Sequence, residues 1–238
     1  MKAVVLAAGK GTRLSSITTS VPKPMLTVGD RPLIDRLLEM VARSGVRDVI
    51  MNLHHCADVL RNFCGDGGRW GLRITYALEP TLLGTAGTVR NLAPELSGES
   101  PFFVVYGDNY LDCDLSGLWE FHAEHRGIAS IALFEKDDVT GAGVVQLGEN
   151  GQIVRFVEKP APSQVFSRLV SGGVYVLSPD ILPLIPTAVP CDFGFDVFPT
   201  LLAAGRALYG RVMEGAVWPI DTPPLYQRLR ERLGDGRS

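Results

Sequence analysis

The sequence predicts an α/β fold on a mixed, mostly parallel open sheet, with a ligand crevice at the carboxyl ends of the strands. Three observations predict it. Residues 2–6, Lys2-Ala3-Val4-Val5-Leu6, form an apolar run that leads straight into a glycine-rich turn, as a central parallel strand does. Strand-length apolar runs then alternate with helix-period segments as far as Tyr106, in the order β-α-β-α-β-α-β. After about residue 135 the texture changes to short strands and a hairpin, which makes the sheet mixed and gives one domain two lobes.

Each element has its own signal. Leu33, Ile34, Leu37, Leu38 and Val41 share one helical face, with Pro32 near the start and Gly45 just past the end. Residues 46–52 read as a strand and 57–63 as a helix; Leu72, Ile74, Tyr76 and Leu78 then alternate through a strand over 72–79. Residues 85–92 form a helix, and the apolar strand 102–106 ends at Gly107-Asp108-Asn109. Strands over 143–147 and 152–157 flank the turn Gly148-Glu149-Asn150-Gly151 as a hairpin. A strand over 171–177, a helix over 196–204, short strands over 207–212 and 217–220, and a charged amphipathic helix over 225–233 complete the chain. The tail from Gly234 is expected to fray.

At roughly 150 residues per domain, 238 residues correspond to about 1.6 domains. The hydrophobic share of 46% and charged share of 21% are those of a globular protein, and exclude a disulfide mini-scaffold, a collagen and a disordered tail. With 26 acidic against 23 basic residues and no long basic run, neither nucleic acid nor a membrane surface is an expected partner. No run reaches the ~18 apolar residues of a membrane span, and the apolar start ends at Gly9-Lys10-Gly11 without a cleavage-type segment. Cys56, Cys64, Cys113 and Cys191 show no Cys-x-x-Cys spacing and read as reduced thiols of a cytoplasmic protein.

The first chemical signal is the loop Leu6-Ala7-Ala8-Gly9-Lys10-Gly11-Thr12-Arg13-Leu14. Its glycines let backbone amides approach an anion closely, and the Arg13 guanidinium suits phosphate oxygens. It is not a dinucleotide fingerprint, because Leu14 stands where a third Gly or Ala is needed, and it is not a Walker P-loop. A plain strand-to-loop turn with a surface arginine explains the segment equally well. In Val21-Pro22-Lys23-Pro24-Met25, prolines on both sides stiffen the backbone and keep Lys23 out of a helix, which suits either a lysine fixed over a site or a rigid surface loop.

Taken together, Gly-x-Gly-Thr-Arg-Leu and Pro-Lys-Pro-Met resemble the sugar-phosphate nucleotidylyltransferases, which make nucleotide sugars. The resemblance continues through Glu79-Pro80, Gly84-Thr85-Ala86-Gly87, Gly107-Asp108-Asn109, Val157-Glu158-Lys159-Pro160, Ser171-Gly172-Gly173-Val174-Tyr175 and Trp218…Asp221-Thr222, from residue 4 to about 226. Mannose- and heptose-1-phosphate guanylyltransferases are nearest in look, with some features of glucose-1-phosphate cytidylyltransferases. The resemblance implies a Rossmann-like three-layer α/β/α nucleotidyltransferase fold with a small sugar-binding β subregion. It implies a single domain over 1–233, with a nucleotide-binding half over 1–110 and a sugar-phosphate-binding half over 111–233.

It also implies the reaction: a sugar 1-phosphate oxygen attacks the α-phosphorus of a nucleoside triphosphate in line, and pyrophosphate leaves. Catalysis is then largely positioning and charge neutralisation. Arg13, Lys23 and Asp108 would be catalytic, and Mg²⁺ the cofactor, held by Asp108 and Asp221. The base would lie against Leu6, Ala8 and Gly9, with Gly11, Thr12 and Arg13 on the triphosphate and Glu79, Gly84 and Thr85 reading the base. A carboxylate at Glu79 would accept from guanine, which favours GTP over CTP, UTP and dTTP. Asn109, Gly143, Glu158, Lys159 and Gly173 would hold the sugar phosphate.

The sequence departs from the family pattern in three places. Ser15-Ser16-Ile17-Thr18 lacks the usual proline, Ala142 stands where an aromatic often precedes Gly143, and Asp221 directly precedes Thr222. The Asp112-Cys113-Asp114 pattern suggests the rival reading of a metal-dependent glycosyltransferase, though Arg13 and Lys23 would have no job there. A second rival is a non-catalytic regulatory subunit that keeps the fold and not the reaction. His54-His55-Cys56 and His122-x-x-His125 lack the spacing of a zinc motif and are expected on helix surfaces and loops, with Trp119 and Phe121 in the core. One helix after Asp221 leaves no room for an appended domain, so regulation would fall to the site itself or to contacts with a second copy.

Overall fold

A computed structural model describes residues 1–9, 11, 14, 21–98 and 100–234. The chain divides into two compact units. One, the Lys23 unit, comprises Lys2–Leu82, Val105–Asp112 and the chain from Val217 onward; the other, the Glu158 unit, comprises Met1, Leu83–Val104 and Cys113–Ala216. The expected halves over 1–110 and 111–233 follow the chain, whereas each unit collects separate stretches of it.

The Lys23 unit begins with β1 (Lys2–Leu6), the short pair β2 (Thr27–Val28) and β3 (Arg31–Pro32), α1 (Leu33–Arg43), β4 (Asp48–Leu53), α2 (Ala57–Cys64) and β5 (Arg73–Leu78). β1 is buried from Ala3 to Leu6, which is why its sequence does not alternate. It pairs parallel with β4, Lys2 opposite Asp48 and Leu6 opposite Asn52, and β4 pairs parallel with β5 through Leu53 opposite Leu78. The helices α1 and α2 supply the long crossovers that parallel strands need. This register ends the three strands together, so the residues just past them share one edge. A core of Leu14, Leu26, Val28, Leu33, Ile220 and Leu229, with Tyr110, Trp218 and Tyr226 against it, packs the unit's later segments onto its first.

The Glu158 unit starts with α3 (Thr85–Asn91) and α4 (Ala93–Leu96); the chain changes unit within β6 (Phe102–Tyr106), before β7 (Asn109–Asp112). It continues with α5 (Ser116–His125), β8 (Ala129–Glu135), β9 (Gly143–Leu147), β10 (Ile153–Glu158), β11 (Leu169–Leu177), α6 (Phe198–Ala203) and β12 (Leu208–Val212). β13 (Ala216–Pro219) and α7 (Pro223–Arg232) follow. β11 pairs antiparallel with β8 and β9, β9 with β10, and β12 runs parallel to β8. The register of β11 shifts between Ser171 and Tyr175, and there Gly173 takes a φ of 72°, which a side chain would resist.

Most elements lie where the sequence predicts them, within a few residues. β8 was not anticipated: it is buried at every position but Glu135 and has no polar alternation to mark it. The expected helix over 196–204 proves shorter, because Phe193–Val197 forms a wider π-type turn before α6 begins at Phe198. His122 is also not on the helix surface. It is buried, hydrogen-bonded to Ser130 Oγ at 2.9 Å, and its pKa is pulled down to about 4 by burial.

Candidate active site

Pro22 and Pro24 hold the chain in a single turn over Lys23–Met25, closed by Met25 N–H donating to the Pro22 carbonyl at 2.8 Å. This buries Lys23, whose Nζ donates to Asp108 Oδ2 at 2.9 Å and to Asp221 Oδ1 at 2.5 Å. Burial alone would lower the lysine pKa. The charges of Asp108 and Asp221 and their hydrogen bonds outweigh that, and the pKa stands above its ordinary value. Lys23, Asp108 and Asp221, far apart in sequence, therefore form one cluster in the Lys23 unit. Asp221 shares the Lys23 ammonium with Asp108 although it directly precedes Thr222.

Asp108 follows Gly107, whose N–H donates to the Leu6 carbonyl at 2.9 Å, so the carboxylate lies beside the end of β1. At that same edge a residue the sequence reading missed takes part. Asn52, buried in β4, accepts from the Ala7 N–H at 2.7 Å and donates from Nδ2 to Glu79 Oε1 at 3.0 Å. Glu79 is buried as well, its N–H on the Leu53 carbonyl and its own carbonyl hydrogen-bonded to His54 Nδ1. The carboxylate expected to read a base is thus engaged with an amide that fixes the backbone at Ala7. A polar residue inside the run Val49-Ile50-Met51-Asn52-Leu53 was the available signal.

Leu6 and Ala8 are buried at this edge, while Gly9 is exposed, with nothing among the described residues within 4 Å of where its side chain would project. The Gly11 carbonyl accepts from Leu14 N–H at 2.8 Å, and Asn109 opens β7. Thr12, Arg13 and residues 15–18 lie outside the described residues. Among the described residues no group of three or more His, Cys, Asp and Glu side chains could hold a metal. Two carboxylates meeting on one ammonium are nonetheless a fitting donor set for Mg²⁺, which takes one or two carboxylates and completes its shell with substrate phosphates and water.

The second group of expected residues meets in the Glu158 unit. Glu158 ends β10 opposite Gly143, and its Oε2 sits 2.6 Å from where a Gly143 Cβ would stand and 2.4 Å from that of Gly194. Burial pushes its pKa up to about 7; Lys159 pulls down and Asp192 pushes up by lesser amounts. Lys159 holds a φ of 48°, fixed by its N–H donating to the Ala142 carbonyl at 3.0 Å, with Nζ 3.9 Å from Glu158 Oε1. Such a backbone is costly for a side chain bearing a Cβ and tends to occur where function needs it.

Gly84 and Thr85 also fall in this unit. A Cβ on Gly84 would lie 2.3 Å from the Cys191 carbonyl oxygen, which accepts from the N–H groups of Ala86 and Gly87. Thr85 Oγ1 donates to Asp192 Oδ2 at 2.8 Å and accepts from Phe193 N–H at 3.0 Å. Asp192 and Gly194 were not anticipated; an Asp followed two residues later by Gly between apolar residues was their only mark. The second aspartate of the Asp112-Cys113-Asp114 pattern is engaged at the start of α5, Asp114 Oδ1 accepting from Ser116 N–H and Oγ.

Comparison with known proteins decides the family. The nucleotidyl transferase profile matches residues 2–222. The chain belongs to the nucleotidyl transferase family. It is 34% identical over 230 residues to the UTP–glucose-1-phosphate uridylyltransferase of Synechocystis, covering 90% of this chain and 58% of that protein. It is also 34% identical to the mannose-1-phosphate guanylyltransferase of Mycobacterium tuberculosis, over 91% of this chain and 59% of that protein. The chain thus spans about three fifths of the length of these relatives. Among solved structures, HddC from Yersinia pseudotuberculosis, also determined with GMP-PN, matches with a TM-score of 0.79 and 25% identity over 97% of this chain and 98% of that one. A UDP-glucose pyrophosphorylase complexed with UDP-glucose matches at 21% identity with a TM-score of 0.83 over 99% of both chains. The nucleotidyl transferase fold is the Rossmann-like α/β architecture expected, a mixed, mostly parallel sheet with helices.

Proposed function

We propose that the chain transfers a nucleotidyl group from a nucleoside triphosphate, GTP by preference, to a mannose- or heptose-type sugar 1-phosphate, releasing pyrophosphate. The observation that carries this reading is the buried Lys23 between Asp108 and Asp221, beside the end of β1 where the glycine-rich loop departs. A lysine with a raised pKa stays charged through the neutral range and donates to the phosphate oxygens on which charge builds as the α-phosphorus is attacked. Arg13, Gly11 and Thr12 would support the rest of the triphosphate. Asp108 and Asp221 would hold Mg²⁺, which supplies further neutralisation when bound.

The sugar side belongs to the Glu158 unit. Lys159 pairs with the sugar phosphate, and Glu158, with a pKa near 7, exchanges hydrogen bonds with a sugar hydroxyl. Gly143 and Gly173 let the backbone approach, whereas Asn109, also expected on the sugar phosphate, opens β7 in the Lys23 unit. The preference for GTP rests on the guanylyltransferase relatives, since Glu79 is committed to Asn52. The uridylyltransferase relative supports UTP with glucose 1-phosphate as the second reading. Cys56, Cys64, Cys113 and Cys191 form no disulfide, which suits a reducing compartment such as the cytoplasm.

The test is a matrix of GTP, CTP, UTP, dTTP and ATP against mannose, heptose, glucose and amino-sugar 1-phosphates, with product masses identifying both substrates. A GDP-sugar is the expected product. No pyrophosphate from any pair defeats the reading, and a UDP-sugar moves the assignment to the second one.

A further inference from the structure

Phe195 has no role in the reaction as described, yet it is 56% exposed on a backbone held from several sides. Asp192 Oδ1 accepts from the N–H groups of Gly194 at 2.8 Å and Phe195 at 3.3 Å, while its other oxygen is tied to Thr85. Below the turn, Phe193 stacks on Phe198 at 5.4 Å and meets Tyr175 edge-on at 5.5 Å. Single exposed apolar side chains are ordinary and need no explanation. This one is mounted rigidly, and its surroundings are specific: Lys159 Nζ lies 5.4 Å from the ring centroid, and the preceding Gly194 is pressed against the Glu158 carboxyl group. An apolar ring, an ammonium and a carboxyl group thus adjoin one another, and a sugar phosphate offers a partner to each of them.

We infer that Phe195 is the apolar wall of the sugar subsite, its ring lying on the C–H face of a pyranose whose 1-phosphate pairs with Lys159 and whose hydroxyl meets Glu158. The substrate class is then a sugar 1-phosphate with a C–H-rich face, as a deoxy sugar has. The inference rests on the nucleotidyl-transfer reading of the same site. An aromatic face keeps its shape and loses little freedom on binding, so it discriminates by stacking where a flexible side chain would not.

The test measures pyrophosphate release by wild type, Phe195→Ala and Phe195→Trp with mannose 1-phosphate, glucose 1-phosphate and their 6-deoxy counterparts. Phe195→Ala is expected to raise the KM for the sugar phosphate roughly tenfold, with kcat and the KM for the triphosphate held, and Phe195→Trp to restore it. Wild type is expected to favour the deoxy sugars, and Phe195→Ala to lose that preference. Turnover in which Phe195→Ala leaves the sugar KM and preference unchanged overturns this inference alone. No turnover of any pair by wild type overturns the nucleotidyl-transfer reading and this inference with it.

Discussion

Removing Lys23 acts on charge and on chemistry together. Lys23→Met leaves Asp108 and Asp221 facing each other without their shared cation, and Asp108→Asn removes one of the carboxylates proposed for the metal. Each substitution is expected to lower pyrophosphate release about 10²–10³-fold, as loss of a preorganised charge contact does, with circular dichroism unchanged. Glu158 makes a pH prediction of opposite sign to the usual carboxylate. Its folded pKa of about 7 lies above the ordinary 4.5, so between those values the folded state holds a proton that the unfolded state has lost. Its contribution to stability is therefore full below pH 4.5 and lost as pH rises through 7. Thermal melts should show Glu158→Gln gaining on wild type from pH 5 to pH 8; parallel curves would refute the assignment. Lys23, Asp108, Glu158 and Lys159 stood out in the sequence only through the run of motifs that resembles the family, since each segment alone also reads as an ordinary turn or surface pair. Asn52 and Asp192 did not, since each bonds a partner that only folding brings near, Asn52 the Ala7 N–H and Asp192 the Thr85 hydroxyl.

Among the elements, α3 makes contacts that its motif did not announce. Gly84-Thr85-Ala86-Gly87 was expected at the base, and its contacts are with Cys191, Asp192 and Phe193. Gly84 has a φ of 80° as well as the contact with the Cys191 carbonyl, so Gly84→Ala meets strain and overlap at once. It should destabilise by about 3 kcal/mol. At roughly 2–4 °C per kcal/mol for a chain of this size, the melting temperature should fall by about 6–12 °C. Gly194→Ala, by contrast, would press on Glu158 and should raise the KM for the sugar phosphate while lowering the melting temperature less than Gly84→Ala does. The parallel strands were legible from their unbroken apolar runs. β8 was not, because full burial leaves a strand of Ala, Ser, Ile, Leu and Phe without period or punctuation.

For the molecule as a whole, ligand binding is the most direct probe of the proposed chemistry. A triphosphate with Mg²⁺ at a hundred times its Kd should stabilise the fold by about 2.7 kcal/mol, a rise of roughly 5–10 °C, and EDTA should abolish it. An equal rise with EDTA present would remove the metal from the account. The contact between Lys23 and Asp221 spans 198 residues, and the buried cluster around Leu33 needs Ile220 and Leu229. At about 5–20 residues per second, a ribosome makes the second half of that ion pair some 10–40 s after the first. Throughout that interval the nascent chain carries Leu14, Leu26, Val28 and Leu33 without the late residues that cover them. The same long-range closure that assembles the phosphate-handling cluster thus leaves an apolar face of the nascent chain uncovered until the segment carrying Ile220 and Leu229 has been translated.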